Sequence, residues 1–479
     1  MILSVVFPIL CGFACIPLKK LNNRNLRSGF VIGFQVLEAI IGLITVFTPG
    51  KSGGHYTFAD GIAIGFASDL TAKFFCFIIV IAWLLVAIYA TVYMKHEKNE
   101  ERFYLFMFLS EGAMLGAAFS SNLVSMYFFY ELVTLCSMPL VLQSLTKESI
   151  AAAKKYLYYS VAGAFMALFG IFVLSQNAST LNFVEGGSLQ ATTNLVFGAI
   201  LVLNIGFGAK AGLFPLHGWL PTAHPVAPAP ASALLSGLIA KAGVLAIIRT
   251  VFFVVGTNAL SQTWVQTVLL TLSLLTVLMG SMMAYRESVF KKRLAYSTVS
   301  QISYVLTGIF LFNENGVEGA FWQILFHAAV KVGLFLCAGA VIYLYGKTRV
   351  DELDGIGKKM PITFTCFTIL SLSLIGIPPM GGFYSKWYLA TASLDTNGIG
   401  IISWLAPVIL LASALLTAGY LLPITVKAFW RSSSDNTEKV KEPLLMTIPL
   451  ILLSVFSVLG GFFSQNTGNA IKEIVSSLF

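Results

Sequence analysis

Apolar segments long enough to cross a hydrocarbon core recur along almost the whole chain, and no other feature constrains its fold as much. A core ~30 Å thick needs about 17–25 residues of helix. Such runs lie at 2–18, 28–48, 70–94, 103–121, 122–144, 156–175, 194–213, 232–255, 264–284, 293–312, 317–345, 361–392, 402–430 and 444–463 of the 479 residues. The reading is an all-α polytopic membrane protein with about fourteen transmembrane helices. Composition agrees: 57% of residues are hydrophobic and 11% charged, where soluble domains run near 45–50% and 25%. The first run lacks a basic leader and a small-residue cleavage site, so it reads as a mature helix. Runs four and five nearly touch, with the turn placed at Ser120-Ser121-Asn122.

Charge placement supports the same count. Of 30 Lys and Arg residues, 22 fall in loops after odd-numbered spans, such as Lys19, Arg24, Lys95, Arg102, Lys291 and Lys441. The opposite loops hold only Lys51 and Lys472. The positive-inside rule makes the odd loops cytoplasmic and puts both termini outside a cell membrane. The net charge of +9 is then a topological signal, and nucleic-acid binding loses its support.

Six basic residues remain in or beside spans: Lys73, Lys210, Lys241, Arg249, Lys331 and Lys386. Lys73 and Arg249 sit near span ends, where a long side chain can reach the interface. The other four lysines, with Glu38, Glu111 and Glu131, fall deeper. An ionisable group near the bilayer centre costs a few kcal/mol, so it normally pairs, faces water or serves an ion path. Burial brings a lysine within range of proton exchange near neutral pH. Gln323, His327 and Lys331 recur at i, i+4 and i+8, on one helix face. Ser297, Thr298, Ser300, Gln301 and Ser303 add groups able to hold water.

Two spans look broken. One runs from Lys210 into Phe214-Pro215-Leu216-His217-Gly218-Trp219-Leu220-Pro221, then His224-Pro225, Pro228 and Pro230; the other reads Gly376-Ile377-Pro378-Pro379-Met380-Gly381-Gly382, with Lys386 four residues on. Proline cannot continue a regular helix, and irregular backbone at membrane depth is tolerated only inside protein or beside a water-filled cavity. A lysine beside each break, one in each half, points to inverted repeats with midplane ion sites.

Enzyme motifs fail where they can be tested. Gly50-Lys51-Ser52 imitates the end of a phosphate-binding loop, but Thr45 occupies the required first glycine position. Gly206-x-Gly208 is followed by Ala211 where a dinucleotide fingerprint needs glycine. The six cysteines lie in apolar runs without CxxC spacing, so they read as packing residues. The expectation is no redox or hydrolytic site, no metal and no bound cofactor, with any redox chemistry left to another subunit.

These residues resemble a known family, the antiporter-like subunits shared by Mrp-type cation/proton antiporters, respiratory complex I and membrane-bound hydrogenases. The likeness covers about 100–430. It rests on Phe129-Tyr130-Glu131-Leu132-Val133-Thr134, on Lys210 through His224, on Ala231-Ser232-Ala233-Leu234-Leu235-Ser236-Gly237 with Lys241, and on Leu294-Ala295-Tyr296-Ser297. His327 with Lys331, and Gly376-Ile377-Pro378-Pro379 with Lys386, complete it. Phe383-Tyr384-Ser385-Lys386-Trp387, with lysine rather than glutamate at 386, looks closest to the D-type Mrp subunit or its hydrogenase counterpart.

The resemblance implies fourteen helices, discontinuous helices seven and twelve, and two inverted five-helix repeats. The divisions are 1–102 (helices 1–3), 103–255 (helices 4–8), 264–430 (helices 9–13) and 431–479 (helix 14 and tail). It implies that Glu131 pairs with Lys210, and that Lys241 continues the path toward His327 and Lys331. Lys386 ends the path as a gate, while His217, His224 and Glu111 are candidate inlet or gate residues. The transported ion is H+, with Na+ as a second candidate, and the partners are other membrane subunits, including homologous ones, and the lipid bilayer. Two other classes stand against this reading: a stand-alone transporter whose lysines bind an anionic solute, and a scaffold whose charges glue helices. The ionisable residues form a line rather than one cluster, which speaks against the first.

Overall fold

The computed structural model describes all residues except 21–22, 51, 60–61, 397 and 432–439; Lys51 and Lys439 therefore lie outside the described residues. The chain begins with α1 (Ile2–Cys15), α2 (Arg24–Phe47), a hairpin of β1 (Ser52–Ala59) and β2 (Ile62–Ala67), and α3 (Leu70–Tyr93). Next come α4 (Glu100–Phe119), α5 (Leu123–Val141), α6 (Lys147–Asn177), α7 (Asn194–Ala211), α8 (Leu220–Val226), α9 (Ala229–Leu234), α10 (Lys241–Thr250) and the short α11 (Thr257–Leu260). The second half holds α12 (Trp264–Arg286), α13 (Phe290–Phe310), α14 (Glu314–Tyr345), the single turn α15 (Ile356–Lys359), α16 (Pro361–Ile375), α17 (Gly381–Asp395) and α18 (Ile402–Trp430). It ends with α19 (Leu444–Phe462) and α20 (Ser464–Ser476).

Eleven helical stretches among the described residues are long and apolar enough to span a bilayer, which shows a multi-pass membrane protein. Most remaining expected spans correspond to α4 and α13, of 20 and 21 residues but more polar, and to the broken pair α16–α17. The turn at 120–122 falls where the sequence places it. The hairpin and the amphipathic α20 are additions that hydropathy did not foresee.

Helix starts follow local chemistry. Asn23, Asp69, Asn122, Thr146, Thr193 and Asn313 each accept a hydrogen bond from a first-turn amide, satisfying donors that would otherwise be orphaned. At both breaks the helix ends on a left-handed glycine, Gly212 (φ 80°) and Gly376 (φ 90°), a conformation other residues rarely adopt. Phe214-Pro215 and Pro378-Pro379 follow as cis bonds, and α8 and α17 resume beyond them.

Two segments form the centre. Ala229–Val255 and α14 are buried over their whole apolar windows, whereas α1, α2 and α18 bury only a third. A helix apolar all round belongs inside a bundle, so α14, lying against α3, α9, α13, α16, α17 and α19, is the hub. Loops sort by face. On one face Lys19, Arg24 and Arg27 pair with Glu100 and Glu101, and Arg102 bonds Gln143. On that face too Val289 bridges Arg349, and Gly355 N donates to Lys427 O. Opposite, the hairpin meets Ser120 and Ser121, and Val184 meets Phe253.

Candidate functional site

The two breaks and the hub helix set the site. At the first, Lys210 occupies the last turn of α7 and is fully buried. Its Nζ donates to Tyr130 O at 2.8 Å and to Thr134 Oγ1 at 2.5 Å, and lies 4.0 Å from the Tyr130 ring centre. All three contacts come from one stretch of α5, the one that carries Glu131. The expected pairing with Glu131 is not a direct ion pair. The carboxyl is half-buried, its Oε1 has no hydrogen-bond partner, and it acts on Lys210 across space. Lys210 leans on the carbonyl and hydroxyl because they sit on the α5 face turned toward α7.

Lys241 begins α10 just after a π-helical turn, Leu235–Ile239. The wider i→i+5 spacing occurs often at functional sites. Gly237 O in this turn accepts from Lys241 Nζ, which also lies 3.0 Å from His327 Nδ1. His327 Nε2 is buried without a partner and lines a small void with Gln301, Gln323, Ser373 and Gly382. Gln323 Nε2 donates to Gln301 Oε1 at 2.8 Å, and Ser385 Oγ to Gln323 Oε1 at 2.6 Å. One residue beyond, Lys386 Nζ donates to Leu374 O and Ile375 O, the last carbonyls of α16, and lies 5.5 Å from the Tyr304 ring centre. Those carbonyls are free because the helix stops at Gly376. The result is a row of neighbouring groups, bonded from Lys241 to His327 and from Gln301 through Gln323 to Ser385, with the void lying between His327 and Gln323 and Lys386 one residue past Ser385.

Lys331, one turn past His327, turns to α13, where Leu294 O accepts at 3.0 Å and Ser297 Oγ also accepts. Of the polar groups on α13, Gln301 thus belongs to the row and Ser297 serves Lys331. Thr298 bonds Ser236, and Ser300 joins Ser281 and Ser413, which is helix packing.

The histidines lie where α8 meets the basic face. His217 is half-buried and stacks on Phe214, ring centres 5.9 Å apart, with Nδ1 unpartnered. His224 is fully buried against Phe335 at 4.6 Å, with both ring nitrogens unpartnered. Beside it is Lys291, which sequence reasoning counted among loop charges. Lys291 is 4% exposed; its Nζ donates to Ala227 O, and its charge acts on both His224 and Glu97. Burial pushes the carboxyl of Glu97, in the loop before α4, above its usual range, with Lys291 and His96 opposing. A helical period offered a signal for Lys291: it precedes Thr298 by seven residues and so shares that inward face.

Three other placements differ from expectation. Arg249 does not reach the interface. It is buried, makes a bidentate ion pair with Asp69, and packs its guanidinium over Phe183 and Phe253. Glu111 stands apart from the row, on α4, where Gln35 of α2 bonds it. Glu318, missed among the acids within spans, is buried at the start of α14. Lys73 does reach out, to Thr48 O at 2.6 Å. The six cysteines are buried free thiols.

Buried lysines that alternate with a histidine, hydroxyls, amides and free carbonyls can pass protons, since each titratable group exists charged or neutral and its neighbours re-aim. Comparisons with known proteins bear on this geometry. The NADH-quinone oxidoreductase subunit N of Desulforudis audaxviator (strain MP104C) is 29% identical over 97% of this chain and 96% of its own. The D-type subunit of the Na(+)/H(+) antiporter of Bacillus subtilis (strain 168) is 30% identical over 96% of this chain and 93% of its own. The fold superposes on a chain of the Mrp complex from Dietzia sp. DQ12-45-1b with a TM-score of 0.85 at 21% identity, covering 100% of this chain and 97% of that one. Residues 120–411, which hold every member of the row, match the family described as NADH:quinone oxidoreductase/Mrp antiporter, TM. The chain belongs to that NADH:quinone oxidoreductase/Mrp antiporter transmembrane family.

Proposed function

We propose that the chain is the proton-translocating membrane subunit of a multi-subunit cation/proton antiporter of the Mrp type. One observation carries this reading: the buried row from Lys241 through His327 and Gln323 to Lys386, with Lys210 beside the other break. Glu131 acts on Lys210 through space, so a change in its charge alters how firmly Lys210 holds a proton. Each neighbour along the row does the same to the next, and the groups titrate as a coupled set. His217 and His224 form the inlet from the basic face and Lys386 the gate at the far break.

The finer architecture follows the same reading. Fourteen spans, with α4–α10 (103–255) and α12–α18 (264–430) as inverted repeats, put one broken helix in each half. The basic face is cytoplasmic, both termini are outside, and other membrane subunits, homologous ones among them, flank the chain in the cell membrane. The exchanged ions are H+ and Na+, and the chain itself holds no cofactor.

Substituting Glu131, Lys210 or Lys386 by Ala tests the proposal in everted vesicles. Loss of cation-dependent proton flux with the assembly intact is expected; flux that survives all three changes refutes translocation by this chain. A second reading, an antiporter-like subunit of a complex I-related dehydrogenase or membrane-bound hydrogenase, is favoured by the nearly full-length likeness to a subunit N. Co-purifying subunits separate the two: small hydrophobic antiporter partners support the first, iron–sulfur or nickel proteins the second.

A further inference from the structure

The N-terminal helices enclose a second polar cluster that the row does not use. Gln35 and Glu38, three residues apart and so on one face of α2, and Glu111 on α4 are all fully buried. Gln35 Nε2 donates to Glu111 Oε1 at 2.7 Å. Four oxygens then lack any hydrogen-bond partner: Gln35 Oε1, both oxygens of Glu38, and Glu111 Oε2. Glu38 lies close enough to Glu111 for the charge of Glu111 to act on it.

The groups facing this cluster include one positive charge, the Met1 amino group, which acts on Glu38 through space without bonding it. From α1 come the Met1 amino group, which donates to Thr45 Oγ1 at 3.1 Å, and the Cys11 thiol. From α3 comes the Cys76 thiol, directed at Gly42 O. None of them bonds a Glu38 oxygen. A buried ionised carboxylate left uncompensated costs several kcal/mol, so Glu38 gives up its proton only when a cation takes its place at these oxygens. Carboxylate and amide oxygens are the donors that hard cations take. Without a cation each carboxyl keeps its proton and the cluster is neutral.

We propose that Gln35, Glu38 and Glu111 form a binding site for a hard monovalent cation, which enters as the carboxyl proton leaves. The site is separate from the lysine row and does not depend on the translocation reading. Exchange is balanced: one cation replaces one proton on the Glu38 carboxyl, and Gln35 Oε1 supplies a neutral ligand.

The test is carbodiimide labelling of the purified protein in its native assembly, in Na+, K+ or choline chloride of equal ionic strength. Dicyclohexylcarbodiimide modifies protonated carboxyls in apolar surroundings, and peptide mass spectrometry reads Glu38, Glu111 and Glu131 separately. We expect Na+ or K+ to slow labelling of Glu38 about tenfold once it stands ~10-fold above its Kd, and choline to leave it unchanged. Gln35→Leu should abolish that protection while Glu38 remains labelled. Equal labelling of Glu38 in all three salts overturns the proposal, and this comparison needs only the unmutated protein. Loss of flux in E131A or K210A leaves the labelling result untouched, so the two readings fail separately.

Discussion

Replacing His327 by leucine tests the row at its narrowest link. The ring is fully buried in α14, and its Nδ1 lies 3.0 Å from Lys241 Nζ, whose other acceptor is Gly237 O. A hydrogen bond to a charged group contributes about 1.5–3 kcal/mol, so the charged lysine becomes that much harder to populate without the imidazole. At ~1.36 kcal/mol per factor of ten, proton transfer through this step should slow by about 10- to 150-fold. Leucine also fills the space that a bridging water would need. His327→Gln, which retains an amide oxygen able to accept from Lys241, should lose less. The assay is cation-driven proton flux in everted vesicles, followed by a pH-sensitive dye and normalised to intact assembly on a native gel. If H327L retains flux within ~2-fold of the unmutated protein, which corresponds to less than about half a kcal/mol, the proton does not pass through His327.

Asp69→Asn should lower thermal stability in detergent by about 1–3 kcal/mol; the loss stays below the 3–5 kcal/mol of a fully buried pair because the Asp69 side chain is 39% exposed. Burial raises the Asp69 carboxyl but Arg249 outweighs it and holds it below its usual range, so its stabilisation is complete above the unfolded value and disappears only as pH falls through the lower folded one. The difference in Tm between wild type and D69N should therefore be equal at pH 8 and pH 5, within the range where Asp is ionised (~3.9 unfolded); a gap that shrinks toward pH 5 contradicts this. Gly461→Ala drives a methyl into Pro379 O at the second break, so it should cost roughly 1–3 kcal/mol of stability and reduce flux by displacing Lys386; unchanged Tm and flux would show that the break is soft. Lys291→Met should lower flux by about tenfold, the low end of a lost charged hydrogen bond, while the assembly forms normally. Flux equal to wild type would show that Lys291, beside His224, takes no part in proton entry.

Much of the candidate row is legible in the linear chain because membrane insertion penalises charge. Lys210, Lys241, Lys331 and Lys386 stand out against apolar neighbours, and glycine with proline marks both breaks. Side-chain contacts are less legible. Lys210 and Glu131 look like partners since they are the charges at hand, yet the ammonium uses Tyr130 O and Thr134 Oγ1. Gln323 and Ser385, uncharged and inconspicuous in sequence, lead from the void at His327 to the Lys386 turn.

Sequence by itself determined the membrane class, the two interruptions and the ionisable residues that lie within spans. Those are local properties: hydropathy over about 20 residues, and backbone freedom at Gly212 and Gly376. Tertiary structure decided which charges are buried and what each one meets. Arg249 has a span-end and Lys291 a loop position in sequence, but both are enclosed, one by Asp69 and two phenylalanines, the other at Ala227 O. Gln35, Glu38 and Glu111 come from separate helices and become one cluster only when α2 and α4 pack. The physical reason is that the energy of a buried charge depends on the few atoms around it, and helix packing brings those atoms from distant parts of the chain.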